Sequence, residues 1–64
     1  MISEKLKQLR KEKGFTQKEL ATAINVDVST YSGYERGLHE PSYLTLAKII
    51  HVLKADANYF FMEE

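Results

Sequence analysis

The sequence predicts an all-α fold, a compact domain of five helices. Apolar residues recur at three- and four-residue spacing, which puts them on one stripe of a helix. Ser, Thr or Asp stands before most of these stretches and Gly or Asn follows several of them, as helix caps require. No internal repeat, low-complexity run or linker interrupts the 64 residues, so a single unit over 1–64 is expected.

The first helix is expected over about 3–13, where Ile2, Leu6 and Leu9 share a stripe and Gly14 suits the left-handed position after a helix. The second, over about 17–24, starts on a strong signal: Thr16 three residues before Glu19 is a capping box, and Phe15 and Leu20 are placed as a hydrophobic staple. Leu20, Ala21 and Ile24 supply its apolar face, and Asn25 can take the left-handed conformation that ends it. The third is expected over about 28–36, with Asp27 as cap, Val26 and Tyr31 as a second staple, and Gly37 at its end. About three residues separate the second and third helices, a connection that favours the steep crossing of a helix-turn-helix.

Pro41 marks a loop and Ser42 can cap a fourth helix over about 43–53, whose Leu46, Ile49, Ile50 and Leu53 keep helical spacing. Asp56 can cap a fifth over about 57–63. Tyr59, Phe60, Phe61 and Met62 crowd that segment with more apolar surface than a small core readily absorbs, so part of it reads as an interface. The expected core is Phe15, Leu20, Ile24, Val26, Tyr31, Tyr34, Tyr43, Leu46, Ile49, Ile50 and Leu53.

Composition narrows the functional class. The chain has no cysteine, so packing must hold the fold without disulfides or thiolate zinc, which fits a reducing compartment. No apolar run approaches the roughly 18 residues of a membrane span and no signal-peptide profile opens the chain, so a soluble, cytoplasmic protein is expected. Nine basic and nine acidic residues cancel overall. Their distribution is uneven: residues 1–18 hold six basic and two acidic side chains, a net of +4, and residues 19–64 hold three and seven, a net of −4. A basic end on a neutral protein can still steer it onto phosphates. There is no phosphate-cradling Gly loop, no nucleophile elbow and no His-rich metal spacing, so no catalytic residue, metal, cofactor or small-molecule substrate is expected. His51 lies off the apolar stripe and reads as solvated.

Four blocks carry a family likeness: Thr16-Gln17-x-x-Leu20-Ala21, Val26-Asp27-x-Ser29-Thr30-Tyr31, Tyr34-Glu35-Arg36-Gly37, and Pro41-Ser42 with Leu46. Over nearly the whole chain this closely resembles the phage repressor and Cro-like (XRE-type) helix-turn-helix family, the lambda repressor-like DNA-binding domains. The resemblance implies that the third helix enters the major groove of double-stranded DNA and the second lies across the backbone. It implies phosphate contacts for Gln17, Lys18, Ser32, Arg36 and, in the following loop, His39. It matches base-facing positions to Val28, Ser29 and Gly33, with Thr30 close enough to reach a base. Arg10 and Glu35 match a structural ion pair joining the first helix to the end of the third.

Departures from the pattern keep two readings open. Val28 offers only apolar contact, Ser29 discriminates little and Gly33 has no side chain, so bidentate base readers are absent from this face. The loop Leu38-His39-Glu40 carries one His and one acid where the family places several cations. The first reading is a repressor that binds a near-palindromic operator as a homodimer, with Tyr59, Phe60 and Phe61 as candidate dimer contacts. The second is a protein-interaction module, antitoxin-like or co-activator-like, that binds DNA weakly. Gly33 inside a helix suggests close backbone approach to something, or plain tolerance. The chain is either a complete small regulator or a fragment whose effector region is absent.

Overall fold

The computed structural model describes residues 2–60. Four α-helices form: α1 (Ile2–Glu12), α2 (Gln17–Ala23), α3 (Val28–Glu35) and α4 (Tyr43–Leu53). A short 3-10 helix, Ala57–Phe60, follows. Each α-helix boundary falls within a residue of its expected place because the signals are local. At α2 the Glu19 amide donates to Thr16 Oγ1 at 3.0 Å, and the Thr16 amide donates to Glu19 Oε1 at 2.9 Å. At α4 the Thr45 amide donates to Ser42 Oγ at 3.1 Å.

All four α-helices end in the same way. A residue just past the last turn is left-handed, at Gly14, Asn25, Gly37 and Lys54, and the next amide reaches back to the carbonyl five residues earlier. Phe15 donates to Arg10, Val26 to Ala21, Leu38 to Gly33 and Ala55 to Ile50, at 2.9–3.1 Å. Lys54 is the costly member, since a side chain at φ 54° meets its own carbonyl. Lys54→Gly is therefore expected to raise stability by about 0.5–1 kcal/mol, the relief of strain less the extra unfolded-chain entropy of glycine. Urea unfolding followed by circular dichroism measures it, and a loss of stability would show the strain to be absent.

α3 packs against both α1 and α2, α4 against α2, and the 3-10 helix against α1. The core is Leu6, Leu9, Leu20, Ala21, Ile24, Tyr31, Tyr34, Leu46, Ile49, Leu53 and Phe60. Among the described residues no helix is long and apolar enough to cross a membrane.

Three expectations need correction. The fifth α-helix does not form within the described residues: over 57–60 the chain is 3-10, with the Tyr59 amide bonded to the Asp56 carbonyl and the Asn58 amide to Asp56 Oδ1. The rest of that expected helix lies outside the described residues. Tyr43, expected in the core, is 85% exposed, because it sits in the first turn of α4, ahead of the stretch where Leu46, Ile49 and Leu53 meet the other helices. Asp27 occupies the N-cap of α3 with extended backbone, but its carboxylate makes no capping hydrogen bond.

Candidate nucleic-acid interface

The inward side of α3 is fixed by Tyr31, Tyr34 and Glu35, all buried. The carboxylate of Glu35 gathers donors from three helices. Arg10 of α1 grips it with both arms of its guanidinium, Nε to Oε2 at 2.6 Å and Nη2 to Oε1 at 3.1 Å. Gln17 of α2 donates from Nε2 to Oε1 at 3.0 Å, and the Tyr31 hydroxyl donates to Oε2 at 2.5 Å. Arg10 also donates from Nη1 to the Phe15 carbonyl at 2.7 Å, which ties the α1–α2 loop into the same cluster. A bidentate guanidinium fixes orientation as well as distance, so the Arg10–Glu35 pair sets how α1 and α3 cross, and the single bond from Gln17 ties α2 to the same carboxylate.

Burial alone would push the Glu35 carboxyl up, but hydrogen bonds from Arg10, Tyr31 and Gln17 and the Arg10 charge outweigh it and hold the group below the usual range. The bond to Glu35 raises Arg10 further, against its own burial. Burial first, and then the bond to Glu35, keep the Tyr31 phenol protonated far above its ordinary range. Unfolded, a glutamate titrates near its ordinary 4.5. Below that pH the unfolded chain takes up a proton that folded Glu35 refuses, so stability falls as pH drops from about 4.5 toward the lowered folded value. Above 4.5 the contribution is fully present. Thermal unfolding of wild type and Glu35→Gln down to about pH 2 tests this: the variant should lose less on acidification, and equal losses would assign the acid sensitivity elsewhere.

The outward side of α3 carries Val28, Ser29, Ser32 and Arg36 at helical spacing. Val28 is 46% exposed, Ser29 and Arg36 are exposed, and Ser32 and Thr30 are half-buried. Among the described residues none hydrogen-bonds to the side chain of Ser29, Ser32 or Arg36. Lys18 is exposed at the start of α2. Gln17 is half-buried, with one amide hydrogen committed to Glu35 and the other free to face outward beside the end of α3.

Gly33 departs from the expectation that it faces a base. It shares the outward stripe, four residues after Ser29, but it is buried, because the imidazole of His39 lies over it. A β-carbon built there would overlap that ring, with Cδ2 at 2.6 Å. Phe60, expected at a dimer contact, is 5% exposed and belongs to the core, since the 3-10 turn folds it back against α1. Tyr59 is half-buried and stands edge-on to Phe60, ring centroids 5.3 Å apart. Phe61 lies outside the described residues. Among the described residues no group of three or more His, Asp or Glu is placed to hold a metal.

With this geometry in place, the sequence itself matches a known family profile, described as helix-turn-helix, over residues 6–60. The chain belongs to the helix-turn-helix family.

Relatives within that family are named as transcription regulators. YqaE of Bacillus subtilis (strain 168), an uncharacterised HTH-type transcriptional regulator, is 38% identical over 64 residues, all of this chain and 55% of its own length. The HTH-type transcriptional regulator ImmR of the same strain is 33% identical over 91% of this chain and 46% of its own length. The cryptic phage CTXphi transcriptional repressor RstR of Vibrio cholerae is 39% identical over 77% of this chain and 44% of its own length. This helix-turn-helix chain thus spans about half the length of these relatives.

Sequence reasoning missed several site features. The Gln17 and Tyr31 bonds to Glu35 and the cover of Gly33 by His39 join residues whose proximity no local pattern announces. Leu38, Tyr43 and Leu44, exposed at 62%, 85% and 66%, also went unremarked as surface. The only signal for them was position, in a loop and in the first turn of the helix after it.

Proposed function

We propose that this chain is a double-stranded DNA-binding transcriptional regulator with no enzymatic activity, a repressor that binds a near-palindromic operator as a homodimer. The observation that carries the reading is the two-sidedness of α3. Its inner side chains are locked by the Glu35 cluster, while Ser29, Ser32 and Arg36 on its outer side hydrogen-bond to no described residue. A rigid helix with an uncommitted polar stripe is what insertion into a major groove needs. The names of the relatives support the same reading.

In this reading Val28 meets a thymine methyl, and Ser29 and Thr30 reach base edges. Gln17, Lys18, Ser32 and Arg36 bind phosphates and set the register. Two copies present α3 to half-sites about one helical turn apart, with Tyr59 and Phe61 at the contact between them. The exposed Leu38, Tyr43 and Leu44 favour a second reading, a protein-interaction module of the same fold.

A salt titration of binding to a random-sequence duplex separates the two. Each neutralised phosphate adds about −0.9 to the slope of log affinity against log salt, so Lys18 and Arg36 in two copies require a slope of roughly −3.6 or steeper. Arg36→Ala should make it shallower by about 0.9 per copy. A flat response would give the chain to the protein partner.

A further inference from the structure

We propose that His39, from the loop after α3, replaces the missing side chain of Gly33 and reads a purine edge in the major groove. This rests on the DNA-binding reading and deepens it. By helical spacing Gly33 lies on the outward stripe with Ser29 and Arg36, yet it offers no side chain of its own. The imidazole of His39 fills that place, so close that any β-carbon at position 33 would collide with it. The ring is held there from two directions. Tyr34 stands edge-on to it, centroids 6.2 Å apart, and the amides of Leu38 and His39 both point at the Gly33 carbonyl, at 2.9 and 3.5 Å.

The placement leaves the ring available. His39 is exposed as a residue, and no described residue hydrogen-bonds to its imidazole. An imidazole N–H donates to N7, an acceptor that adenine and guanine share in the major groove, so the contact selects purine over pyrimidine. Gly33 is then the condition for the contact: it makes room for the ring. His39 also lines a pocket of about 200 Å³ together with Ile2, Ser3, Tyr34, Gly37, Glu40 and Pro41. A β-carbon at position 33 and the imidazole cannot both keep their places, and the ring, at the end of a side chain, is the part that can move.

The test is selection of bound sites from a random duplex pool with wild type, His39→Ala, His39→Gln and Gly33→Ala, each checked for folding by thermal unfolding. Wild type should enrich a motif with a purine at one position in each half-site. His39→Ala should weaken that preference about tenfold, leaving the other positions and the salt slope as they were. Gly33→Ala should do the same with the histidine still present, because its methyl displaces the ring. His39→Gln, which keeps a donor, should retain part of the preference. An unchanged motif in His39→Ala overturns the assignment, as does a uniform loss of affinity with a salt slope about 0.9 shallower, which would make His39 a phosphate contact. A Gly33→Ala protein that keeps the preference overturns it too. Wild type that binds no duplex overturns the DNA-binding reading and this assignment with it.

Discussion

Arg10→Met is expected to destabilise the fold by about 3–5 kcal/mol, because it leaves Glu35 buried without its cation. The Glu35 side chain is 2% exposed and that of Arg10 9%, so water cannot replace the lost partner. The Phe15 carbonyl loses its donor in the same stroke. A domain of this size has a total stability of roughly 3–10 kcal/mol, so the variant should be largely unfolded at 25 °C or close to it. Urea denaturation followed by circular dichroism measures the loss. Arg10→Met combined with Glu35→Met should recover most of it, since removing both charges also removes the burial penalty. Recovery stays incomplete because Tyr31 and Gln17 then lose their acceptor. A single-variant loss below about 1 kcal/mol would mean the pair is solvated in solution and does not hold α1 to α3.

Ser29→Glu should abolish specific DNA binding while leaving the fold intact. Ser29 is the second residue of α3, exposed, on the outward stripe. A carboxylate in the first turn of a helix faces the positive end of its dipole, so stability should hold or rise by about 0.3–1 kcal/mol. Inside a groove flanked by two rows of phosphates the same charge is repelled by several kcal/mol, and every 1.4 kcal/mol is tenfold in affinity, so a loss of at least about a hundredfold is expected. Fluorescence anisotropy on the selected duplex gives the affinity, and thermal unfolding gives the stability. A variant that still binds within about threefold of wild type would remove α3 from the groove.

The two variants probe opposite sides of one helix, and the division between them follows the way the sequence can be read. The ends of α2 and α4 were legible because Thr16 and Glu19, or Ser42 and Thr45, interact across three residues. Gly14, Asn25 and Gly37 were legible for the same reason, each closing a turn of backbone that contains it. Lys54 takes the same conformation without belonging to a residue type that favours it, so only the chain path reveals it. Arg10 and Glu35 stand 25 positions apart, and their pairing was reached through family resemblance. Gln17 was read as an outward phosphate ligand, and its inward bond to Glu35 depends on α2 lying beside the end of α3.

What the sequence by itself determined was where four of its five expected helices begin and end, and the uneven charge between the first 18 residues and the rest. These follow from hydrogen bonds and side-chain spacings that span three to five residues. Only the tertiary structure decided which apolar residues are core: Phe60 is covered by its return to α1, and Tyr43 is left in solvent one turn ahead of the packed part of α4. It also placed a loop histidine over a helical glycine. Burial and side-chain contact across loops depend on how whole helices cross, and that crossing is set by many weak contacts at once, which no short window of residues contains.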